Sequence, residues 1–479
     1  MAADGFPDNR LPAHGAVADE VLGRMEELRA DDRDWRGGRV FSLVYSAGDE
    51  VHALLERAAA AYSAENALNT MVFPSLGWMQ HDIVTITAGL LGADRVTTDD
   101  ADIRGYLTSG GTESLLMATK TARDWGRSER ATGGTNGIGG HSKSATAQPN
   151  MVLATSAHAA FEKASHYFDV ESRRIPVGPD YRADVDAMAD AIDDDTVLIV
   201  GSAPSYPQGV VDPIPDLAAL ATDRGILCHV DACLGGFILP FLGSLGYLEK
   251  QWDFTVPGVT SISADLHKYG YGSKGVSVVL YRTPELARLQ PFLTTNWLGG
   301  LYGSPSMAGT RPAGPIAAGW AVLHFLGEDG YLRLTEDTYR AARALRSAIE
   351  GLPGLAVRGD PDATVLAFGG DLTGAGSARI PSGSNDRGND ALSGSGGIDA
   401  ASTDTSVPID TFALGDALAD RGGWFFDRQS PPDSLHGTVH AGHAAVMDEL
   451  IADLTAVASE LAASGARATD RATTYGTVD

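Results

Sequence analysis

The chain has 479 residues, 43% of them hydrophobic, enough for two or three lobes at roughly 150 residues each and too apolar for a disordered polymer. Its 36 basic residues stand against 62 acidic ones, a formal charge of −26. That balance argues against nucleic acid and anionic membrane as partners, because both select positive surfaces.

Residues 1–40 read as an arm with one helix around Val17–Leu28. Helical apolar spacing recurs over Val51–Ala61 and His81–Leu91. From Tyr106 onward short apolar runs alternate with helices. A turn at Ser109-Gly110-Gly111 opens a helix near Thr112. Strands are predicted at 151–155, 196–202, 226–231 and 276–281, with helices over His158–Phe168 and Asp216–Arg224. This alternation implies a mostly parallel sheet covered on both faces. Beyond about Gly319 the pattern changes to helices at Trp320–Phe325 and Leu332–Leu352, strands at 424–429 and 434–440, and a closing helix over Ala441–Leu461. We therefore expect an arm (1–50), a large domain (51–325) and a smaller α+β domain (326–479). Two inserts, 131–149 and about 373–406, are rich in Gly, Ser, Asn and Asp and cannot bury enough apolar surface to offset their ordering entropy. The GGTNGIGG run at 133–140 follows no strand and opens no helix, so it is not read as a phosphate loop. The tail after Gly465 is expected to be loose.

Only six lysines occur: Lys120, Lys143, Lys163, Lys250, Lys268 and Lys274. An acidic, lysine-poor surface fits a salt-rich cytoplasm, where screening relieves self-repulsion; an acidic protein from an ordinary cell is the alternative. Cys228 and Cys233 lie five apart, which is neither a redox pair nor half of a zinc site. The opening MAADGFPDNRLPAHG lacks a basic region followed by an apolar run, and no uninterrupted apolar stretch matches a bilayer. A cytoplasmic location without a membrane anchor is the expectation.

Four segments carry chemistry. SISADLHKYGYGSKG (261–275) places a His-Lys pair before Gly270. Lysine forms imines with carbonyl cofactors, and two lysines within seven residues are unexpected for a solvated face in so lysine-poor a chain. Two exposed loop lysines remain the alternative. In YLTSGGTES (106–114) the backbone N–H groups of Gly110, Gly111 and Thr112 sit at a helix N-terminus, which binds phosphate, with Ser109 and Thr112 adding hydroxyls. A plain capped turn gives the same pattern. In HVDACLGGF (229–237), Asp231 ends an apolar strand, where ligands of open sheets collect. A carboxylate there can pair with the protonated nitrogen of a pyridine ring and keep the ring an electron sink, or simply cap a turn. In SAHAAFEKASHYF (156–168), His158 opens a helix and can lie flat over an aromatic cofactor, although a lone His is more often structural. His436, His440 and His443 have ligand-like spacing, but no carboxylate or Cys completes a set, so no metal site is expected.

Together these segments resemble the sphingosine-1-phosphate lyases, within the decarboxylase-like pyridoxal-phosphate (PLP) enzymes of aminotransferase fold type I. The resemblance also rests on GRVFSLVY (38–45), APSYPQGVVDPIP (203–215) and WLGGLYGSPSMAGTRPAG (297–314). It implies a PLP-dependent α/β large domain with a mostly parallel seven-stranded sheet and a smaller C-terminal α+β domain. It further implies that Lys268 carries PLP as a Schiff base, Asp231 pairs with the ring nitrogen and His158 stacks on the ring. Ser109, Gly110, Gly111, Thr112 and His267 would surround the phosphate, and Ser304 would reach the phosphate of the neighbouring subunit in a homodimer. Tyr45, Tyr206 and Lys274 resemble positions near a small-molecule amine substrate; Arg311 lies in a matching stretch without an assigned role. Asn69 stands where the family has a His, which weakens a substrate-phosphate contact. The resemblance favours a carbon–carbon lyase that forms an aldehyde and an amine such as phosphoethanolamine. An amino-acid α-decarboxylase would use the same sink, and a non-catalytic relative is disfavoured by the retained Lys268, Asp231 and Gly-Gly-Thr turn.

Overall fold

A computed structural model describes residues 11–96, 101–131, 148–372 and 409–473. The two inserts, with the GGTNGIGG run, fall almost wholly outside these residues, as do the first ten residues of the arm and the last six of the tail.

A seven-stranded sheet forms the centre. Its strands are β1 (Arg104–Thr108), β2 (Asn150–Ala154), β3 (Glu171–Ile175), β4 (Thr196–Ser202), β5 (Leu227–Asp231), β6 (Ser261–Ala264) and β7 (Ser277–Tyr281), in the order β1-β7-β6-β5-β4-β2-β3. β7 runs antiparallel to both its neighbours, while β2 through β6 pair in parallel. The apolar runs do not alternate because both faces are covered. Met151 and Leu153 belong to the core shared with the helices Gly111–Ala131 and Ala160–Phe168, and Val152 and Ala154 to the core on the other face, which includes the helices Pro74–Leu90 and Ile214–Arg224.

Two elements depart from expectation. The helix expected at His81 begins at Pro74, whose fixed φ suits a first helical position; its apolar residues lie all around the axis, so no stripe marked the first turn. β3, Glu-Ser-Arg-Arg-Ile, is a charged edge strand that a search for apolar runs passes over. The two helices expected at 320–325 and 332–352 form the kinked span Gly314–Glu350, hereafter the long helix, parted at Gly327 (φ 56°, ψ −175°), with the first starting earlier than expected.

After β7 a hairpin of β8 (Phe292–Thr294) and β9 (Tyr302–Ser304) leaves Phe292, Trp297, Leu298 and Leu301 exposed. A second, antiparallel sheet follows: β10 (Leu355–Val357), β11 (Val365–Gly370), β12 (Asp427–Gln429) and β13 (Ser434–Thr438), in the order β10-β11-β13-β12. The helices Thr411–Gly422 and Met447–Ser464 and the far half of the long helix bury a core of Leu345, Phe368, Leu414, Trp424 and Leu454 against it. The strand expected from residue 424 pairs regularly only from Asp427, because Phe425 instead bridges Val40 in parallel. None of the helices among the described residues is long and apolar enough to cross a membrane.

Candidate active site

Most of the candidates lie at one end of the sheet, at the carboxyl ends of strands that run in the same direction. Ser109–Thr112 follow β1, His158 follows β2, Tyr206 follows β4, Asp231 ends β5, and Lys268 lies in the turn after β6. A cavity of about 650 Å³ opens there. Ser109, Gly110, Gly111, Thr112, His158, His267, Lys268 and Lys274 all line it.

Lys268 Nζ lies 3.0 Å from Asp265 Oδ2. Asp265 is fully buried, and its other oxygen accepts from Ser277 Oγ at 2.5 Å. Burial alone would raise this carboxyl, but the charges of Lys268 and His267 and the Ser277 hydrogen bond outweigh it and hold the pKa below its usual value. Asp265 was not anticipated, although it stands three residues before the lysine in the segment quoted above. The helix N-terminus is packed against the same carboxylate: a Cβ at Gly111 would lie 2.5 Å from Asp265 Oδ2 and 2.9 Å from Cys233 Sγ. Glu113, also unforeseen, folds back to accept from the N–H of Ser109 and of Met307, each at 2.6 Å. It thereby fastens the loop after β9 to the cavity rim.

Asp231 is buried, its Oδ1 accepting from Cys233 N at 3.1 Å. The Ala160 N–H donates to His158 Nδ1 at 3.0 Å. Burial lowers the His158 pKa against the opposing pull of Asp231, so the ring is neutral with its proton on Nε2. His267 has Nδ1 3.2 Å from Val276 O, and burial lowers its pKa too. Lys274 is exposed over part of its length, but its ammonium sits at the cavity wall, donating to His267 O at 3.3 Å and lying 5.5 Å from the centre of the Tyr45 ring. Desolvation, reinforced by the charge of Lys268, brings its pKa down to about 8.

Tyr206 borders an adjoining cavity of about 570 Å³, whose wall shares His158 with the first. Its hydroxyl donates to Asp427 Oδ2 at 2.7 Å and its ring stacks on His436 at 3.9 Å. Ser304 does not line the cavity, although Met307 and Ala308 do; its hydroxyl faces Ser306 O at 2.9 Å and Ala308 O at 2.7 Å. Arg311 is buried and donates to Ala67 O at 3.1 Å and Gln80 Oε1 at 2.7 Å, which ties the segment around Asn66 to the helix from Pro74. Asn69 is exposed and its Oδ1 accepts from Met71 N at 3.1 Å, shaping a turn. The three C-terminal histidines spend ring nitrogens on backbone and hydroxyl groups, His436 on Thr438 Oγ1 at 3.0 Å and His443 on Val40 O at 3.0 Å.

These residues fit PLP. The N–H groups of a first helical turn lack intrahelical acceptors and suit a phosphate, and the cavity runs from that turn to a lysine amine. Behind it lies a buried carboxylate, Asp231, suited to a cationic ring nitrogen.

The pyridoxal-dependent decarboxylase conserved domain matches residues 8–369, and the chain belongs to that family. Within it the chain is 38% identical over 447 residues to a sphingosine-1-phosphate lyase of Oryza sativa subsp. japonica, covering 93% of this chain and 73% of the relative. It is 42% identical over 360 residues to sphingosine-1-phosphate lyase 1 of Rattus norvegicus, covering 75% and 60%. The solved structure of a sphingosine-1-phosphate lyase of Burkholderia pseudomallei superposes with a TM-score of 0.81 at 34% identity, covering 96% of this chain and 94% of that one. The glutamate decarboxylase of Lactobacillus brevis, at 22% identity and a TM-score of 0.75 over 95% and 96%, shares the fold. The chain is a PLP-dependent lyase of the sphingosine-1-phosphate lyase type.

Proposed function

We propose that the protein cleaves the Cα–Cβ bond of a phosphorylated long-chain amino alcohol, sphingosine 1-phosphate or a close analogue, releasing a long-chain aldehyde and phosphoethanolamine. The observation that carries this reading is the likeness to named sphingosine-1-phosphate lyases across 93% of the chain, with Lys274 beside Tyr45 at the cavity that holds Lys268. Lys268 and Asp231 would hold PLP, which would supply a sink for the electron pair of the broken bond.

The chain's own groups handle position and protons. Ser109–Thr112 and His267 would hold the cofactor phosphate, and His158 would cover the ring. A neutral Lys274 amine takes the proton of the substrate hydroxyl and returns it to the carbon left by the aldehyde. Tyr45 and Tyr206 orient the substrate from either side. A second copy of the chain covers the apolar hairpin β8–β9, with Ser304 serving the neighbouring site, because an exposed apolar patch of this kind marks an interface. The acidic, lysine-poor composition supports a salt-rich cytoplasm as its setting.

Product analysis tests the reaction. Holoenzyme is given sphingosine 1-phosphate and, separately, glutamate and aromatic amino acids, and aldehyde and carbon dioxide are measured together. Aldehyde without carbon dioxide is expected. Carbon dioxide from an amino acid, with no aldehyde from the lipid, would establish the α-decarboxylase instead.

A further inference from the structure

The segment Val40–Ser46, which carries Tyr45 and a left-handed Leu43 (φ 63°), is held at both ends by one short stretch far away in the chain. At its start, Phe41 N donates to Phe425 O at 2.9 Å, Thr438 N to Phe41 O at 2.7 Å, and His443 Nε2 to Val40 O at 3.0 Å. At its end, Gly442 N donates to Ser46 O at 3.2 Å. The two histidines that form the stretch are interlocked: the His440 N–H donates to His443 Nδ1 at 3.1 Å, and the rings lie 3.7 Å apart. His443 also stacks on Phe41 at 3.9 Å and 7°. Both histidines are buried, and neither occupies the cavity. The same stretch touches the cofactor turn, because Tyr269, next to Lys268, donates its hydroxyl to Val439 O at 2.8 Å while its ring meets Tyr45 edge-on at 5.1 Å.

We infer that His440 and His443 are positioning residues, a buried, interlocked pair that seats the Tyr45 segment against Tyr269 and Lys274. This rests on the reading of Tyr45 as a residue beside the substrate. A non-glycine residue at positive φ is unfavourable and persists only where its surroundings hold it, and the ties at Val40, Phe41 and Ser46 are those surroundings. The two bonds of His443 point in different directions: Nδ1 accepts within its own turn, whereas Nε2–H reaches across to Val40. Asn can replace the first bond and Gln the second.

Two variants, His443→Asn and His443→Gln, therefore separate a seat from a mere cap. Amide hydrogen exchange over residues 39–47 of the holoenzyme and the kinetics of sphingosine 1-phosphate cleavage are the readouts. His443→Asn is expected to speed exchange in that segment alone and to lower kcat about tenfold to a hundredfold, as a small misplacement does. His443→Gln is expected to stay near the parent in both. No effect of Asn, equal damage by Asn and Gln, or faster exchange throughout the chain would each overturn the inference. Tyr45→Phe distinguishes its failure from that of the underlying reading. If Tyr45→Phe impairs turnover and His443→Asn adds nothing further in that background, the seat acts through Tyr45. If the two losses multiply, the inference falls and the role of Tyr45 stands. If Tyr45→Phe is fully active, both fall.

Discussion

Lys274 owes its chemistry to its surroundings. Desolvation and the neighbouring charge of Lys268 bring its pKa to about 8, so protonation disables the amine as a base below that pH and frees it above. The kcat–pH profile is therefore expected to rise through about 8 and then level. Lys274→Gln should remove that limb and lower kcat about 10²- to 10⁴-fold, the usual worth of a positioned acid–base group; steady-state kinetics between pH 6 and 10 check both. The lysine pair was legible in the sequence because lysine is rare in this chain and these two fall together. Asp265 lay in the same segment yet went unread, because only the turn after β6 brings the carboxylate back onto Lys268. The partners of Tyr206, His436 and Asp427, come from more than two hundred residues away, and no local pattern announces such pairs.

Two elements depend on glycines for opposite reasons. At Gly111 space is the limit. Gly111→Ala would drive a methyl into the buried Asp265 carboxylate and Cys233, an overpacking that costs about 1–3 kcal/mol. It is expected to lower both PLP affinity and the melting temperature, measured by fluorescence titration and calorimetry. At Gly327 nothing lies within 4 Å of a new Cβ, and conformation is the limit. Its φ of 56° with ψ near 180° is almost closed to other residues. Gly327→Ala should thus destabilise the fold by about 1–3 kcal/mol in denaturant titration while leaving PLP affinity unchanged. The same split governs what the sequence disclosed about elements. β4 and β5, buried on both faces, stood out as unbroken apolar runs. β3 at the polar edge had no apolar pattern to mark it.

Over the whole molecule, a charge of −26 opposes compaction. Raising KCl from about 0.1 M to about 1 M shortens the screening length from about 10 Å to about 3 Å. The melting temperature is expected to climb over that range, and a flat or falling curve would count against self-repulsion as the limiting force. The alternation of strands and helices was enough to anticipate the parallel sheet, since each crossover leaves its own apolar run. It did not disclose that Val40 and Phe41 join Phe425 and Thr438 beside the second sheet, because pairing across some four hundred residues leaves no periodic trace.

That closure, Val40 beside Phe425 and Phe41 beside Thr438, has a practical corollary for anyone dissecting the enzyme. A truncation ending shortly after the long helix would retain Lys268, Asp231, His158 and the phosphate turn, and so would still be equipped to colour with PLP. It would nevertheless lack Phe425, Thr438, Gly442 and His443, which tie down the segment that carries Tyr45. Cofactor binding and turnover are thus expected to have different minimal lengths of polypeptide.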